Sequence, residues 1–460
     1  MAISVAVLLL FVAPLMRGGN RQVALLVLES IALAFLLSIW LRSVFADRDR
    51  PVPRELSSVR KLLVAFLLLS PAWLALIYLA PVPAEFWASL PGHSTYQALS
   101  AAAGLPAPTA RPLSLAPDST RVSLLAGIPL MAGFLAGYTC RPAQLRWLLG
   151  TVVVVAFLQV ILGLLQIAGG TQSSLYFGMN TDRPIGTFAN PNHFANYLGM
   201  ALVAYIWLAW NNLVAASSRR RDHSSIKFTH RHATALWIAG GVALVLGILL
   251  SRSRGAAFSG LPIGMLALGL ALSAGGKAQG WRASLGLGAG ITVGAVALVG
   301  LGAVISRFEL GGLAESAFYR GLLASTTLDG AAVFWPWGTG WGTYAAVYPR
   351  FQPLEISGFA DYAHHDYAQM LFEGGVFAVL LGAAFCWLAI SRAVELARSA
   401  LRRRALERDE MTCALCGLGL LGLLLHSLVE FNMHIPANAI VGALLAGAYL
   451  RPLASGNAAQ

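Results

Sequence analysis

The strongest limit on what this chain can fold into is a recurrence of apolar runs of roughly 20 residues, the length a helix needs to cross the hydrocarbon of a bilayer. Twelve such runs stand at 3–16, 23–41, 61–80, 122–140, 147–168, 194–216, 234–250, 255–274, 285–305, 367–390, 411–430 and 434–450. The first and last are marginal in length or polarity, so the range is ten to twelve. Charged residues make up only 11% of the chain and apolar ones 57%, against roughly 25% charged in soluble domains. So few charges cannot cover a water-facing surface of this size. The reading is an all-α polytopic membrane protein, one membrane domain over 1–460 with about twelve transmembrane helices. The first run lacks a charged leading region and a second follows at once, so it is expected to stay as an anchor rather than leave as a signal peptide.

The net charge of +12 is placed for a membrane, not for nucleic acid. With alternate loops assigned to opposite sides, one side carries Arg42, Arg48, Arg50, Arg54, Arg60, Lys61, Arg141, Arg146, Arg219 to Arg221, Lys227, Arg231, Lys277, Arg282, Arg392, Arg398, Arg402 to Arg404, Arg408 and Arg451. That is more than two thirds of the 32 Lys and Arg. The positive-inside rule puts this side, and both termini, in the cytoplasm. Arg17 and Arg21 dissent, lying outside in the first hairpin. Cys413 and Cys416 form a C-x-x-C on an apolar helix without His or Cys partners nearby, which reads as small core residues. No disulfide framework is indicated.

Two external segments stand out. Residues 81–121 form a Pro- and Ala-rich covering loop. Residues 306–366, between spans nine and ten, carry Trp335, Trp337, Trp341, Tyr344, Tyr348 and Phe351 among glycines and prolines. A connector of this length is usually functional. Its aromatic faces suit either sugar rings or lipid headgroups.

The outer cations are all Arg: Arg183 in "TDRPIGTFANPNHFANYLG", Arg252 and Arg254 in "LLSRSRGAAFSG", and Arg307, Arg320 and Arg350 in the long loop. Singly they could snorkel to headgroups. Several converging guanidinium groups instead suit the oxygens of a phosphate-bearing lipid. In "NPN", Asn192 is a candidate N-cap, whose exposed amides could also hold an anion. "DYAHHD" places Asp361, His364, His365 and Asp366 just before a hydrocarbon-length run. Successive helical residues point about 100° apart, so at most one of the two histidines aims into a given cleft. A neutral His can take a proton from a sugar hydroxyl as it attacks, with Asp361 or Asp366 orienting it.

The segments "GTFANPNHFANYLG", "SRSRGA", "PWGTGWGTY", "AHHDYAQMLFEGG" and "HSLVEFNMHIPANA", in this order, resemble the O-antigen ligase and polymerase superfamily of bacterial membrane glycosyltransferases. The likeness spans roughly 145–450. It implies a GT-C-like helical membrane fold, with part of the active site on the long periplasmic loop. It implies transfer of a glycan en bloc from undecaprenyl pyrophosphate to an acceptor hydroxyl at the periplasmic face of the inner membrane, with neither metal nor cofactor. The acceptor is lipid A-core for a ligase, a second lipid-linked glycan for a polymerase, and a protein in a related branch. The family's histidine maps to His364, with His365 where the family usually has Asn. Its arginines map to Arg183, Arg254 and Arg320. Asp366, Asn192 and Trp341 complete the expected substrate-binding set. His426, Glu430 and His434 either line the acceptor cavity or satisfy one another.

A transporter is the rival from another class. Transporters place ionisable groups at mid-membrane on broken helices, within internal repeats. Here Glu29 and His426 alone lie deep in a span and no repeat is visible. A membrane scaffold would leave the outer arginines unexplained.

Overall fold

A computed structural model describes residues 2–45, 57–218, 227–273 and 310–453. Helices dominate: α1 (Ala2–Val12), α2 (Gln22–Phe45), α3 (Ser58–Leu68), α4 (Ser70–Leu79), α5 (Ala84–Ser89), α6 (His93–Ala102), α7 (Pro117–Leu125), α8 (Gly127–Thr139) and α9 (Pro142–Ala168) come first. They are followed by α10 (Pro191–Ser218), α11 (Lys227–Leu250), α12 (Arg254–Ser273), α13 (Leu310–Val333), α14 (Tyr344–Val347), α15 (Asp366–Arg403), α16 (Arg408–His426) and α17 (Pro436–Leu450).

Among the described residues, six helical stretches are long and apolar enough to cross a membrane: α2, α7 with α8, α9, α12, α15 and α16. A seventh is the pair α3 and α4, bent by 54°. The bend falls where Pro71 enters the first turn of α4, since proline has no N–H to continue the ladder of α3. Shorter apolar helices lie at Ala2–Val12, Ala235–Leu250 and Pro436–Leu450. The expected ninth span, 285–305, lies outside the described residues. Helix α10 is long, at 28 residues, but carries Asn192, His193, Asn196, Asn211 and Asn212 and is enclosed by α9, α11, α12 and α16. Leu26, Leu33 and Leu37 of α2, by contrast, turn outward, as lipid-facing side chains do. The chain is a membrane protein.

Lipid tails are as apolar as leucine, so helices in a bilayer associate through close packing and polar bonds rather than by escaping water. The α8–α17 contact shows this. A Cβ on Gly137 would stand 2.1 Å from the Leu444 carbonyl oxygen, and one on Gly447 would stand 2.0 Å from that of Phe134. The backbones touch directly.

Two regions read as connectors have structure of their own. In 81–121, β1 (Pro81–Pro83) pairs antiparallel with β2 (Ala110–Pro112) and closes off α5 and α6. In 306–366, α13 precedes a turn over residues 334–343 that inserts into a break in α15. Gly375 there has φ 50° and ψ −129°, far from helical values. Val376 N–H leaves the helix ladder and donates to the Pro336 carbonyl at 2.8 Å. The freed carbonyls of Phe372 and Glu373 accept from Thr339 N (3.1 Å) and Gly340 N (2.9 Å). Tyr78 Oη donates toward the carbonyls of Trp337 (2.7 Å) and Gly374 (3.1 Å). These bonds satisfy the backbone groups that the break sets free, as the low-dielectric setting demands.

Helix α15 is 38 residues long, well beyond the expected 367–390. Its far end is basic and buried Arg392 there donates to the carbonyls of Leu450 (3.0 Å) and Arg451 (2.6 Å), closing the C-terminus of α17. A cation suits the negative end of that helix. Cys413 and Cys416 are free, buried and packed among apolar side chains.

Candidate functional site

The site gathers at the opposite end of α15, around the turn joining α16 to α17. Helix α16 ends at His426, short of the expected 430, and Pro436 opens α17. Between them Glu430 is fully buried. A buried carboxylate is costly unless it is paired. Oε1 accepts from Arg320 Nη2 at 2.8 Å and from Asn192 Nδ2 at 2.5 Å. Oε2 faces His364 Nδ1 at 3.2 Å and its neighbour's amide, Phe431 N, at 3.3 Å. His193 Nε2 stands 3.6 Å from the same oxygen. Burial by itself would raise the Glu430 carboxyl, but the neighbouring imidazoles of His193 and His364 outweigh it and hold the group well below the ordinary carboxylate range. Glu430 is therefore ionised, and His364 must present Nδ1–H to it. That tautomer leaves Nε2 as the acceptor nitrogen of the ring.

Local sequence explains how the partners arrive. Asn190, not the expected Asn192, caps α10: its Oδ1 accepts from Asn192 N at 2.8 Å. Pro191 takes the first helical position, where its missing N–H is harmless. Asn192 thus lies inside the first turn and its side chain is released to reach Glu430. His365 is the N-cap of α15, with Nδ1 accepting from Ala368 N at 3.2 Å. Its neighbour His364 has φ +49°, a backbone conformation uncommon for a residue with a side chain. This turn aims the two rings apart: His365 into its own helix and His364 to Glu430.

Asp366 is buried as well. Its carboxylate accepts from Met433 N at 2.9 Å and pairs with His434 Nδ1 at 2.6 Å. Burial would lower the His434 imidazole, yet the bond to Asp366 raises it above its ordinary value. Gln369 continues the chain to Ala363 N (3.1 Å) and Glu373 (3.2 Å), and Glu373 accepts from Gly342 N (2.8 Å). This second network fixes the backbone on both sides of His364.

Arg183 sits in a loop held by two glutamines of α9. Gln166 Oε1 accepts from Ile185 N and Gly186 N, both at 2.9 Å, and Gln159 Oε1 accepts from Thr187 N at 2.8 Å. Two turns apart, the two side chains share one helix face. Adjacent Asp182 pairs with Arg252 at 3.0 Å, tying this loop to the link that leads into Arg254. A Cβ on Gly255 would meet His426 Nε2 at 2.5 Å and Val429 at 3.2 Å, so the start of α12 abuts the Glu430 turn.

The His364 ring opens on a cleft of about 410 Å³, whose lining includes Arg17, Asn20, His193, Asp361 and Phe431. Of the residues singled out in the sequence, the structure brings His364, Arg320 and Asn192 to one carboxylate and sets Asp366 and His365 beside them. Arg183 and Arg254 flank the group through their neighbours and do not line the cleft. Trp341 goes elsewhere, packed on Gly374 of α15 among apolar side chains.

Glu430 as the centre, His193 and Arg17 were not read as site residues from the sequence. Their signals were there: Glu430 and His193 stand inside quoted motifs, and Arg17 is a cation on the wrong side of the charge pattern. His426 and His434 do not satisfy Glu430 directly; His426 faces Asn196 at 3.2 Å.

The O-antigen ligase family matches residues 239–383. That stretch holds Arg254, Arg320, Trp341 and His364 to Asp366, and leaves out Arg183, Asn192 and Glu430. No curated protein matches the chain.

Proposed function

We propose that this chain, whose residues 239–383 match the O-antigen ligase family, is a membrane glycosyltransferase that moves a glycan en bloc from undecaprenyl pyrophosphate to a hydroxyl of lipid A-core. The reaction takes place at the periplasmic face of the inner membrane. One observation carries the reading: a single buried carboxylate joins a guanidinium, Arg320, to an imidazole, His364, drawn from distant parts of the chain. A charge-stabilising group and a base held in fixed relation are what displacement at a sugar carbon requires.

His364 Nε2 takes the proton from the acceptor hydroxyl as its oxygen bonds to the anomeric carbon. Glu430 stabilises the imidazolium that forms. The bond from that carbon to the diphosphate oxygen breaks on the opposite face, and the electron pair leaves with undecaprenyl pyrophosphate. Arg320, Arg254 and Arg183 stabilise the negative charge that develops there. The clustering of Arg392, Arg402, Arg403 and Arg408 at the far end of the bundle supports the orientation, through the positive-inside rule.

The test uses purified protein in proteoliposomes with lipid-linked glycan and lipid A-core. Transfer that His364→Asn abolishes supports the enzyme; glycan flux without a new glycosidic bond would support a transporter instead. In a deletion strain, full-length chains stranded on the carrier lipid indicate a ligase. Single repeats on the core indicate a repeat-unit polymerase.

A further inference from the structure

Several walls of the cleft beside His364 lie outside the matched residues 239–383. One of them is the turn between α1 and α2, which contributes Arg17 and Asn20. Three successive residues there have positive φ: Arg17 (54°), Gly18 (71°) and Gly19 (83°). Glycine is required at the last two by space as well as by backbone. A Cβ on Gly18 would stand 2.8 Å from Phe188, and one on Gly19 would stand 2.9 Å from Pro436. The turn is wedged between the segment that leads into Asn192 and the start of α17. Thr187 Oγ1 donates to the Pro14 carbonyl at 2.5 Å and fixes it further. Its backbone is locked, which presets where the Arg17 side chain begins.

Arg17 itself is half-buried. Nη2 donates to the Phe177 carbonyl at 3.1 Å. Among the described residues Arg17 has no ion-pair partner, unlike Arg320 and Arg252. A guanidinium carries five N–H donors in a planar fork suited to two oxygens of one anion. The other charged or titratable groups on the cleft are Asp361, Tyr362, His193 and His364, so among the described residues Arg17 is its one fixed cation. The arginines assigned to the diphosphate do not line this cleft. In an in-line displacement the acceptor arrives on the base's side and the diphosphate departs on the other.

We infer that Arg17 is an acceptor-side anion site, binding a phosphate borne by the acceptor glycolipid while its hydroxyl reaches His364. The inference rests on the glycosyl-transfer reading. Arg17 touches neither the attacking nor the leaving oxygen, so it acts on acceptor affinity and not on the chemical step.

The experiment measures transfer with donor and acceptor varied separately, using lipid A-core with its phosphates intact or enzymatically removed. Loss of one charge-assisted contact predicts that Arg17→Gln raises the acceptor KM by about tenfold or more, with a much smaller change in kcat. Arg17→Lys should restore part of it. Dephosphorylated acceptor should show the raised KM with the unaltered protein and no further rise with Arg17→Gln. That arm does not depend on the variant folding. Inorganic pyrophosphate, used as a competitor of the donor, should inhibit both proteins equally. An unchanged acceptor KM, or equal loss with both acceptors, overturns the inference while leaving the enzyme reading intact. Weaker pyrophosphate inhibition of Arg17→Gln would move Arg17 to the donor and also overturn it. Absence of transfer by unaltered protein would instead sink the underlying reading.

Discussion

Arg320 Nη2 and Glu430 Oε1 lie 2.8 Å apart, and the other oxygen of that carboxylate faces His364 Nδ1 at 3.2 Å. Two groups far apart in the chain are thus tied through a third that neither neighbours in sequence. The arrangement makes Glu430 a positioning residue: it touches no substrate in the proposed reaction but sets the tautomer of the base. Glu430→Gln keeps the shape and loses the charge. The expected result is a kcat lowered by about 10²-fold or more, the scale of general-base catalysis. KM values should change less. A purely structural role would instead lower the melting temperature without this split.

His364 and His365 should separate cleanly. His364→Asn removes the base while keeping a residue that tolerates positive φ, so the protein should fold and lose about 10²–10⁴-fold in turnover. His365→Ala should retain transfer and lose only a helix cap, about 1 kcal/mol. Thermal melting in detergent alongside transfer assays reads both. Equal loss of activity from the two substitutions would refute the assignment.

The acid dependence of stability follows from Glu430. Its folded pKa is lowered from 4.5, so the stability it contributes is fully present above that value. It disappears as pH falls through the folded one. The melting-temperature gap between the unaltered protein and Glu430→Gln should therefore be constant at neutral pH and close in acid. A gap that widens in acid would contradict the sign.

Gly186 has φ +56°, and a Cβ there would stand 2.1 Å from Gln159 Oε1. Gly186→Ala should displace the loop carrying Arg183 and destabilise the protein by about 1–3 kcal/mol. Gln166→Leu leaves two amides without their acceptor and should have a similar effect. Donor KM should rise in both. An unaltered donor KM with Gly186→Ala would detach Arg183 from the diphosphate.

Much of the membrane architecture is legible in the sequence because hydrocarbon length imposes itself on every span. The expectation of about twelve spans and the described stretches agree in the positions of α2, α9, α12, α15 and α16. What periodicity could not disclose is α13, a helix hidden in the segment 306–366. Glu315, Arg320 and Asp329 break its apolar run, and it packs on α15. Sequence and structure meet at His364 and Arg320, residue types that are costly out of context and that share one carboxylate; of the other outer arginines, Arg307 lies outside the described residues. Asn192 was found for the wrong local reason, since the cap belongs to Asn190. Glu430 was read only as one of three residues that line an acceptor cavity or satisfy one another, because a carboxylate near a span end has an ordinary interfacial explanation. Only three-dimensional convergence shows that it is enclosed. Trp341, expected at the substrate, packs on Gly374 of α15 in the structure, a contact that its place in a Gly-rich segment does not disclose.

The interruption of α15 at Gly375 has a mechanical corollary. The stub from Asp366 to Gly374 is riveted to the inserted turn by the amides of Thr339 and Gly340, and the long rod beyond it is held to the same turn by the Val376 amide on the Pro336 carbonyl. Stub and rod therefore share one clamp, so tight that a Cβ on Gly375 would stand 2.2 Å from the Pro336 carbonyl oxygen. The short helix that begins beside the imidazole takes its direction from the inserted turn and not from continuity with the rod.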